Sequence, residues 1–251
     1  MTTATDKTVI LTGGVSGIGK ATALLLAQRG FKVIVGDINE DGGKALVAAA
    51  EQDGLPISFL PLDLTDGESV DQFAKSALES AGGRVDGLVN GAGWSSPRPF
   101  LNEEPDDWTR VLGINLLGAL RLTHAVVRPM TQGGGGKIVN VASDAGRVGS
   151  GGEAVYSAAK GGLIAFTKSL AREVARYRVN VNCVCPGPTD TPLFQTQIDE
   201  KRRGALISAI PFRRLGEPEE PAKAIWFLLS DNSDYMTGQV LSVSGGLTMA
   251  G

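Results

Sequence analysis

The stretch from Thr8 to Arg29 limits the possible folds more than any other. Thr8 to Leu11 is a short apolar run with strand character. It passes directly into Thr12-Gly13-Gly14-Val15-Ser16-Gly17-Ile18-Gly19-Lys20, and an Ala- and Leu-rich helix follows to about Arg29. Strand, glycine turn and helix in that order make a dinucleotide-binding βα unit. The glycines let the backbone approach a pyrophosphate, and the helix N-terminus offers N–H groups at the positive end of its dipole. Gly13, Ser16, Gly17, Ile18 and Gly19 are therefore candidate cofactor contacts. The spacing is G-x-x-x-G-x-G rather than G-x-G-x-x-G, so the flanking strand and helix carry more of the argument than the glycines.

The rest of the chain repeats the alternation. A second strand, Lys32 to Val35, ends at Gly36-Asp37. An acidic residue about 20 positions after the glycine turn accepts hydrogen bonds from an adenosine ribose diol and repels a 2′-phosphate. Ile38 and Asn39 follow, with no Arg or Lys to hold that phosphate, so NAD is expected rather than NADP. The competing reading is that Asp37 only caps the next helix. That helix runs from about Gly42 to Gln52. The third strand, Ser58 to Leu62, ends in Asp63-Leu64, and a helix from about Glu68 to Ser80 has Val70, Phe73, Ala74 and Ala77 on one face. A fourth strand, Gly87 to Val89, ends at Asn90-Gly91-Ala92-Gly93, where small residues would let a ring system lie against the backbone. A proline-broken loop, Trp94 to Phe100, leads to a long helix, Asp107 to Met130. Asn115 sits near its middle, a poor interior helix residue that has either a role or a tolerated place.

Lys137 to Gly162 reads as strand, glycine-rich loop (Gly146 to Gly152) and helix. Ser143 closes the strand. Tyr156 and Lys160 are spaced i, i+4, which puts phenol and ammonium on one helix face. A free tyrosine, with a pKa near ~10, is a poor base at neutral pH. A nearby lysine cation favours the phenolate, which can then take a proton from an alcohol or, protonated, give one to a developing alkoxide. Ser143 can hold the same oxygen. The spacing also occurs by chance on amphipathic helices, so the cofactor signals elsewhere are what give it meaning.

A sixth strand, Val179 to Cys185, is stopped by Pro186-Gly187-Pro188. Pro186 and Gly187, with Thr189 and Thr191 beyond, complete the candidate cofactor set. Residues 189–214 are polar and weakly patterned, a candidate substrate lid. Lys201, Arg202 and Arg203 lie within it, either a solvated face or a contact for a phosphate-bearing substrate. A helix, Pro218 to Ser230, and a last strand, Val240 to Val243, follow. The small, partly apolar tail, Gly245 to Gly251, suggests burial against a partner subunit. The expected fold is α/β, one doubly wound Rossmann-type domain over residues 1–251 with a seven-stranded, mainly parallel sheet and helices on both faces. Its ligands belong at the carboxyl ends of the strands.

Composition removes other classes. A net charge of −3 over 251 residues offers no broad basic surface for nucleic acid or anionic membrane. The start, MTTATDK, has no apolar core of a signal peptide, and no apolar run approaches the ~18 residues of a membrane span. A cytoplasmic protein is expected. The two cysteines, Cys183 and Cys185, alternate on a strand and read as reduced packing residues. His124 is the only histidine and reads as a packed or half-exposed structural residue. With no His/Cys cluster, no metal site is expected.

Taken together, Thr12-Gly13 with Gly17 and Gly19, Asp63-Leu64, Asn90 to Gly93, Asn115, Ser143 with Tyr156 and Lys160, and Pro186-Gly187 resemble the short-chain dehydrogenase/reductase family over almost the whole chain. The resemblance implies a catalytic tetrad of Asn115, Ser143, Tyr156 and Lys160. Tyr156 would be the acid/base and Ser143 would orient the substrate oxygen. Lys160 would lower the tyrosine pKa and hold the nicotinamide ribose, and Asn115 would position a relay water. It also implies a homotetramer. Gly91 stands where the family commonly has a second asparagine, and Ser244 where it commonly has an aspartate. The runs ASDAGRVGSGGEAVY, NCVCPGPTDT and GQVLSVSGGLTMAG are similar, more narrowly, to dehydrogenases of 2-hydroxycyclohexanecarboxyl-CoA, which oxidise a ring β-hydroxyacyl-CoA with NAD. The leading expectation is thus NAD-dependent oxidation of a secondary alcohol, with that cyclic thioester as substrate. The alternatives are a dehydrogenase of free cyclic or aryl alcohols, a 3-oxoacyl reductase (against which Asp37 argues, since biosynthetic reduction usually draws on NADP) and a non-catalytic dinucleotide-binding protein. Trp94, Asp144, Gly152, Glu153 and Phe194 are placed to line the substrate pocket, although Glu153 equally suits a helix N-terminal charge.

Overall fold

A computed structural model describes residues 7–249. The expected lack of a leader in residues 1–6, and the last two residues of the tail, lie outside the described residues. β1 (Thr8–Thr12) is buried along its whole length, as a strand covered on both faces must be. It pairs in parallel with β2 (Lys32–Asp37) on one side and β4 (Gly87–Asn90) on the other. With β3 (Ile57–Pro61), β5 (Gly136–Val141), β6 (Val179–Pro186) and β7 (Val240–Val243), they form a seven-stranded sheet ordered β3-β2-β1-β4-β5-β6-β7. Every neighbouring pair is parallel, where a mainly parallel sheet was expected.

The period-2 alternation of the strands sorts their side chains into two cores. Val9, Leu11, Val33, Val35 and Val139 meet α1 (Gly17–Gln28), α2 (Glu40–Gln52) and α10 (Glu219–Leu229) on one face. Ile10, Ile34, Leu88 and Ile138 meet α3 (Gly67–Ser80), α5 (Gly118–Gln132) and α7 (Ala154–Val174) on the other. Full burial of each such aliphatic side chain contributes roughly 2 kcal/mol. A chain of buried polar groups crosses the second layer. Asn90 Nδ2 donates to Thr123 Oγ1 (2.9 Å) and to Asn140 Oδ1 (2.8 Å), and Asn140 Nδ2 donates to Thr167 Oγ1 (2.8 Å).

Several elements differ from expectation. The long helix expected over 107–130 is α4 (Pro105–Leu112), a widened π turn (Gly113–Leu117) and α5. Asn115 lies in the widened turn, and its Nδ2 donates to the Val111 carbonyl (2.9 Å), a backbone acceptor one turn earlier. The combined helix, Pro105–Gln132, is long and apolar enough to pass for a membrane span by length and composition alone. Its apolar positions Leu122, Val126 and Met130 are buried against the sheet. His124 is exposed on the outer face of α5. The glycine-rich loop after Ser143 begins as a short helix, α6 (Ala145–Val148). The expected lid contains α8 (Pro192–Gln197) and α9 (Glu200–Ala209), capped by Thr191 and Asp199. Cys183 and Cys185 are free and fully buried, their sulfurs 3.9 Å apart.

Candidate active site

A cleft of about 1670 Å³ runs along the carboxyl ends of the strands, where the strand order reverses between β1 and β4. Its floor at one end is the glycine turn. Gly13, at φ +73°, donates its N–H to the Gly36 carbonyl (2.8 Å), and a Cβ there would stand 2.6 Å from Ala92 Cα. A Cβ on Gly19 would stand 1.9 Å from the Gly13 carbonyl oxygen, so the turn closes only without side chains. The Ser16 side chain makes no capping bond and the first turn of α1 has no acidic residue. That leaves uncapped N–H groups and an unopposed dipole end at a bare backbone surface, which is what a pyrophosphate requires. Ser16, Gly17, Ile18 and Gly19 all line the cleft.

Asp37 stands at the end of β2 on the cleft wall. Its Oδ1 accepts from the Asn39 N–H (3.0 Å) and its Oδ2 from the Val15 N–H (3.4 Å), tying the glycine turn to the second strand. It does not cap α2; Asn39 does, through Gly42 N–H (2.9 Å). Ile38 is exposed at the rim. Asp63 accepts from Thr65 N (2.8 Å) and Thr65 Oγ1 (2.7 Å) and, with Leu64, Ala92, Gly93, Pro186, Gly187, Thr189 and Thr191, also lines the cleft. Asn90 does not. Its Nδ2 is spent on Thr123 and Asn140 inside the second layer, so the expected cofactor contact at this position is instead a buried strut. Thr12 carries a job not anticipated: its Oγ1 accepts from Gly91 N (3.1 Å) and Ala92 N (3.2 Å), locking the ends of β1 and β4 together. Gly91 fits this closure, since a Cβ would stand 2.7 Å from the Thr12 carbonyl oxygen.

At the other end, Ser143, Tyr156 and Lys160 converge on the cleft. The Ser143 hydroxyl lies beside the Tyr156 phenol and favours its ionised form. Lys160 Nζ donates to the Val141 carbonyl (2.9 Å) and stands 5.8 Å from the Tyr156 ring centroid. A Cβ on Gly93 would lie 3.3 Å from Asn115 Oδ1 and 3.4 Å from Lys160 Nζ, so the bare glycine brings a bound ring within reach of both. Asn115 itself is buried off the cleft wall. It exchanges two hydrogen bonds with the Trp94 backbone, Nδ2 to O (2.7 Å) and N to Oδ1 (3.2 Å). The expected depression of the tyrosine pKa by Lys160 is not what the structure shows. Burial, and then the Glu153 carboxylate, push the Tyr156 phenol up, while the neighbouring Ser143 hydroxyl pulls the other way. Burial lowers Lys160 to about 8, and its proton is directed at Val141 rather than at the phenol.

Of the expected substrate-side residues, Trp94, Glu153 and Phe194 line the cleft. Trp94 carries the Arg110 guanidinium over its ring at 4.2 Å. Asp144 reaches the wall, but its carboxylate is buried and accepts from the Ser242 hydroxyl of β7. Gly152 is turned away, its carbonyl accepting from the Arg98 N–H (2.8 Å). Of the basic cluster, Arg202 lines the cleft and Arg203 is paired with Asp190 (3.2 Å). Leu193, Leu206 and Leu247 were not anticipated on the wall. The first two are apolar positions on short helices inside a polar stretch, and Leu247, with Thr248, brings the described part of the tail to this cleft. Gln197 of α8 holds the loop after β4, donating from Nε2 to Ser95 O (2.5 Å) and accepting from Ser95 Oγ (3.2 Å).

A family model described as enoyl-(acyl carrier protein) reductase matches residues 13–248. The chain is 41% identical over 245 residues to a 3-oxoacyl-(acyl-carrier-protein) reductase of Thermotoga maritima, covering 97% of this chain and 98% of that one. It is 40% identical over 243 residues to the enzyme of the same name from Vibrio cholerae, with coverage of 97% and 98%. A third of that name, from Chlamydia trachomatis, is 37% identical over 243 residues, covering 96% and 97%. These relatives carry the name of the alternative activity rather than that of a cyclic hydroxyacyl-CoA dehydrogenase. The all-parallel sheet, the glycine cradle and the Ser–Tyr–Lys cluster agree with that match along nearly the whole chain: it belongs to the short-chain dehydrogenase/reductase family, oxidoreductases that use a nicotinamide dinucleotide on a secondary alcohol or its ketone.

Proposed function

We propose that the chain interconverts a 3-oxoacyl thioester and its 3-hydroxyacyl partner with NAD(H). The observation that carries this reading is the convergence of Ser143, Tyr156 and Lys160 at the end of a cleft whose other end presents Asp37. The relatives' names support the substrate class. The Asp37 carboxylate, with no basic residue after it until Lys44, supports NAD over NADP. When bound, the nicotinamide ring accepts or supplies the hydride. The uncapped turn of α1 holds the pyrophosphate, and Asp37 accepts from the adenosine ribose hydroxyls. Ser143 donates to the substrate oxygen and fixes its position. Tyr156 gives its proton to that oxygen as it becomes an alkoxide, or takes it from the alcohol in the other direction. Lys160 holds the ribose next to Gly93, and Asn115 keeps the Trp94 backbone in register beside it. Residues 189–214 act as the lid over the acyl chain, with Leu193, Phe194 and Leu206 as its apolar lining. A homotetramer and a cytoplasmic setting belong to the same reading, checked by sedimentation and by cell fractionation.

The loop strings around Glu153 favour a second substrate, 2-hydroxycyclohexanecarboxyl-CoA. It is the same β-hydroxyacyl chemistry with the reacting carbon in a ring. One absorbance assay separates the readings. Purified protein receives NADH or NADPH with 3-oxoacyl thioesters, or NAD or NADP with 3-hydroxyacyl thioesters, the ring thioester and free cyclohexanol. Turnover of open-chain thioesters with NAD(H) is expected. Turnover confined to the ring thioester supports the second reading, and equal turnover of cyclohexanol removes the thioester from both. An Asp37→Ala variant should lose at least about tenfold of the NAD preference, a change of ~1.4 kcal/mol; an unaltered preference would remove Asp37 from cofactor choice.

A further inference from the structure

Glu153 occupies a place that pocket lining does not explain. It is the residue immediately before α7, three positions ahead of Tyr156 and therefore beside it on the first turn. It lines the main cleft and also a second, small cavity of about 20 Å³, which Tyr156 shares on the same side. That space is about the size of one water. The guanidinium of Arg98 on the small cavity is already taken by Asp107 (3.0 Å) and by the Ser96 hydroxyl (2.7 Å), so it does not cancel the Glu153 charge. Glu103, on the same cavity, accepts from the Trp108 indole (2.8 Å). Among the described residues, the main cleft also carries Lys160, one turn further along α7 and bonded to the Val141 carbonyl, and the Asp144 carboxylate, which accepts from the Ser242 hydroxyl, to which Arg147 donates (2.7 Å); the buried Cys185 thiol of β6 lies behind. Glu153 is the anion nearest in sequence to the phenol.

We propose that Glu153 is a positioning residue for the proton of Tyr156. Its carboxylate opposes phenolate, which holds the phenol protonated to higher pH and so sets the pH at which Tyr156 can begin to take a proton from an alcohol. The proposal rests on the reading of Tyr156 as the acid/base. In the reductive step the phenol O–H bond breaks and its proton goes to the carbonyl oxygen. The hydride of NADH brings its electron pair to the carbonyl carbon to form the C–H bond, the C=O π pair moves to oxygen to bind that proton, NADH is oxidised to NAD, and the phenolate regains a proton from water. The structure agrees in sign: the Glu153 charge is second only to burial among the causes that raise the Tyr156 pKa.

The test uses the whole enzyme with NAD bound, in wild-type, Glu153→Gln and Glu153→Asp forms. Tyrosinate absorbance is followed against pH with a Tyr156→Phe blank, which subtracts Tyr177 and Tyr235. The pH profile of alcohol oxidation is recorded alongside. Removing a full charge at this range should lower the midpoint of Glu153→Gln by about one unit, with oxidation about tenfold faster at a fixed pH below it. Glu153→Asp, which keeps the charge, should stay near the wild-type midpoint. An unshifted Glu153→Gln, or equal shifts in both variants, would overturn the proposal, since packing rather than charge would then be at work. If no alcohol is turned over, the functional reading fails while the absorbance titration still decides the role of Glu153.

Discussion

Tyr156 and Lys160 are four residues apart, yet the structure gives them separate tasks, and each can be probed alone. Tyr156→Phe removes the proton that the site transfers to a substrate oxygen, while the Ser143 hydroxyl that holds it remains. Turnover should fall by roughly 10³-fold, within the range for loss of a general acid, while NADH binding, read by fluorescence, stays nearly intact; lost binding would contradict the role. Lys160 shows itself in stability. Its pKa in the folded chain is lowered to about 8, against an ordinary value of 10.5. Between those values the native state has released a proton that the unfolded chain keeps, so stability rises with pH across the window. Tyr156, raised by burial, works in the opposite sense above pH ~10, because the unfolded chain loses its proton first. The protein without cofactor should therefore gain about 2 kcal/mol between pH ~8 and ~10, and Lys160→Met should flatten that gain. The same slope in the variant would assign the titration elsewhere. The Tyr–Lys spacing was legible in the sequence, but the direction of the pKa shifts was not. It depends on burial and on where the Lys160 proton points, and neither can be read from spacing.

At the scale of elements, the alternation of strand and helix was legible almost throughout, because strands covered on both faces must be apolar runs and their helices must carry one apolar stripe. What failed were the places where a side chain replaces a backbone partner. Asn115 looked like a poor residue in a continuous helix. It sits in a widened turn and bonds the Val111 carbonyl with its own amide. Residues 192–209 looked unpatterned because α8 and α9 are short and lie at the surface, with only Phe194 and Gln197 of α8 and Arg203, Leu206 and Ile207 of α9 half-buried. Gln197 joins α8 to the loop after β4 through two hydrogen bonds to Ser95. Gln197→Ala should free that contact and raise KM several-fold with little change in kcat, as expected where a loop positions substrate rather than reacts with it. An unchanged KM would detach the lid from substrate capture.

Across the whole molecule, two apolar layers enclose the sheet, and one of them carries a buried polar strut. The sequence shows Asn90 at the end of a strand, where a ligand was the natural partner. Only the three-dimensional arrangement shows that Asn140 and Thr123 meet it from β5 and α5, and that Thr167 of α7 accepts in turn from Asn140. Asn140→Ala strips an acceptor from the Asn90 amide and a donor from Thr167 within a fully buried environment. The cost should be about 2 kcal/mol, seen as a fall in denaturation midpoint, with cofactor affinity unchanged. A weaker cofactor would return Asn90 and its neighbours to the binding site.

The sheet order also sets a timetable. β1, β2, β3 and β4 lie side by side, and all are available once residues 8–93 of a growing chain have emerged. The glycine turn, Asp37 and Gly93 are in that portion. β7 can join β6 only about 60 residues after β6 is made, and Ser242 on β7 holds the Asp144 carboxylate beside Ser143. Leu247 then closes the cleft wall. A nascent polypeptide made N-terminus first therefore builds its dinucleotide cradle early and its substrate wall last. Chains cut short by interrupted synthesis would carry the means to bind cofactor without the enclosure needed to spend it.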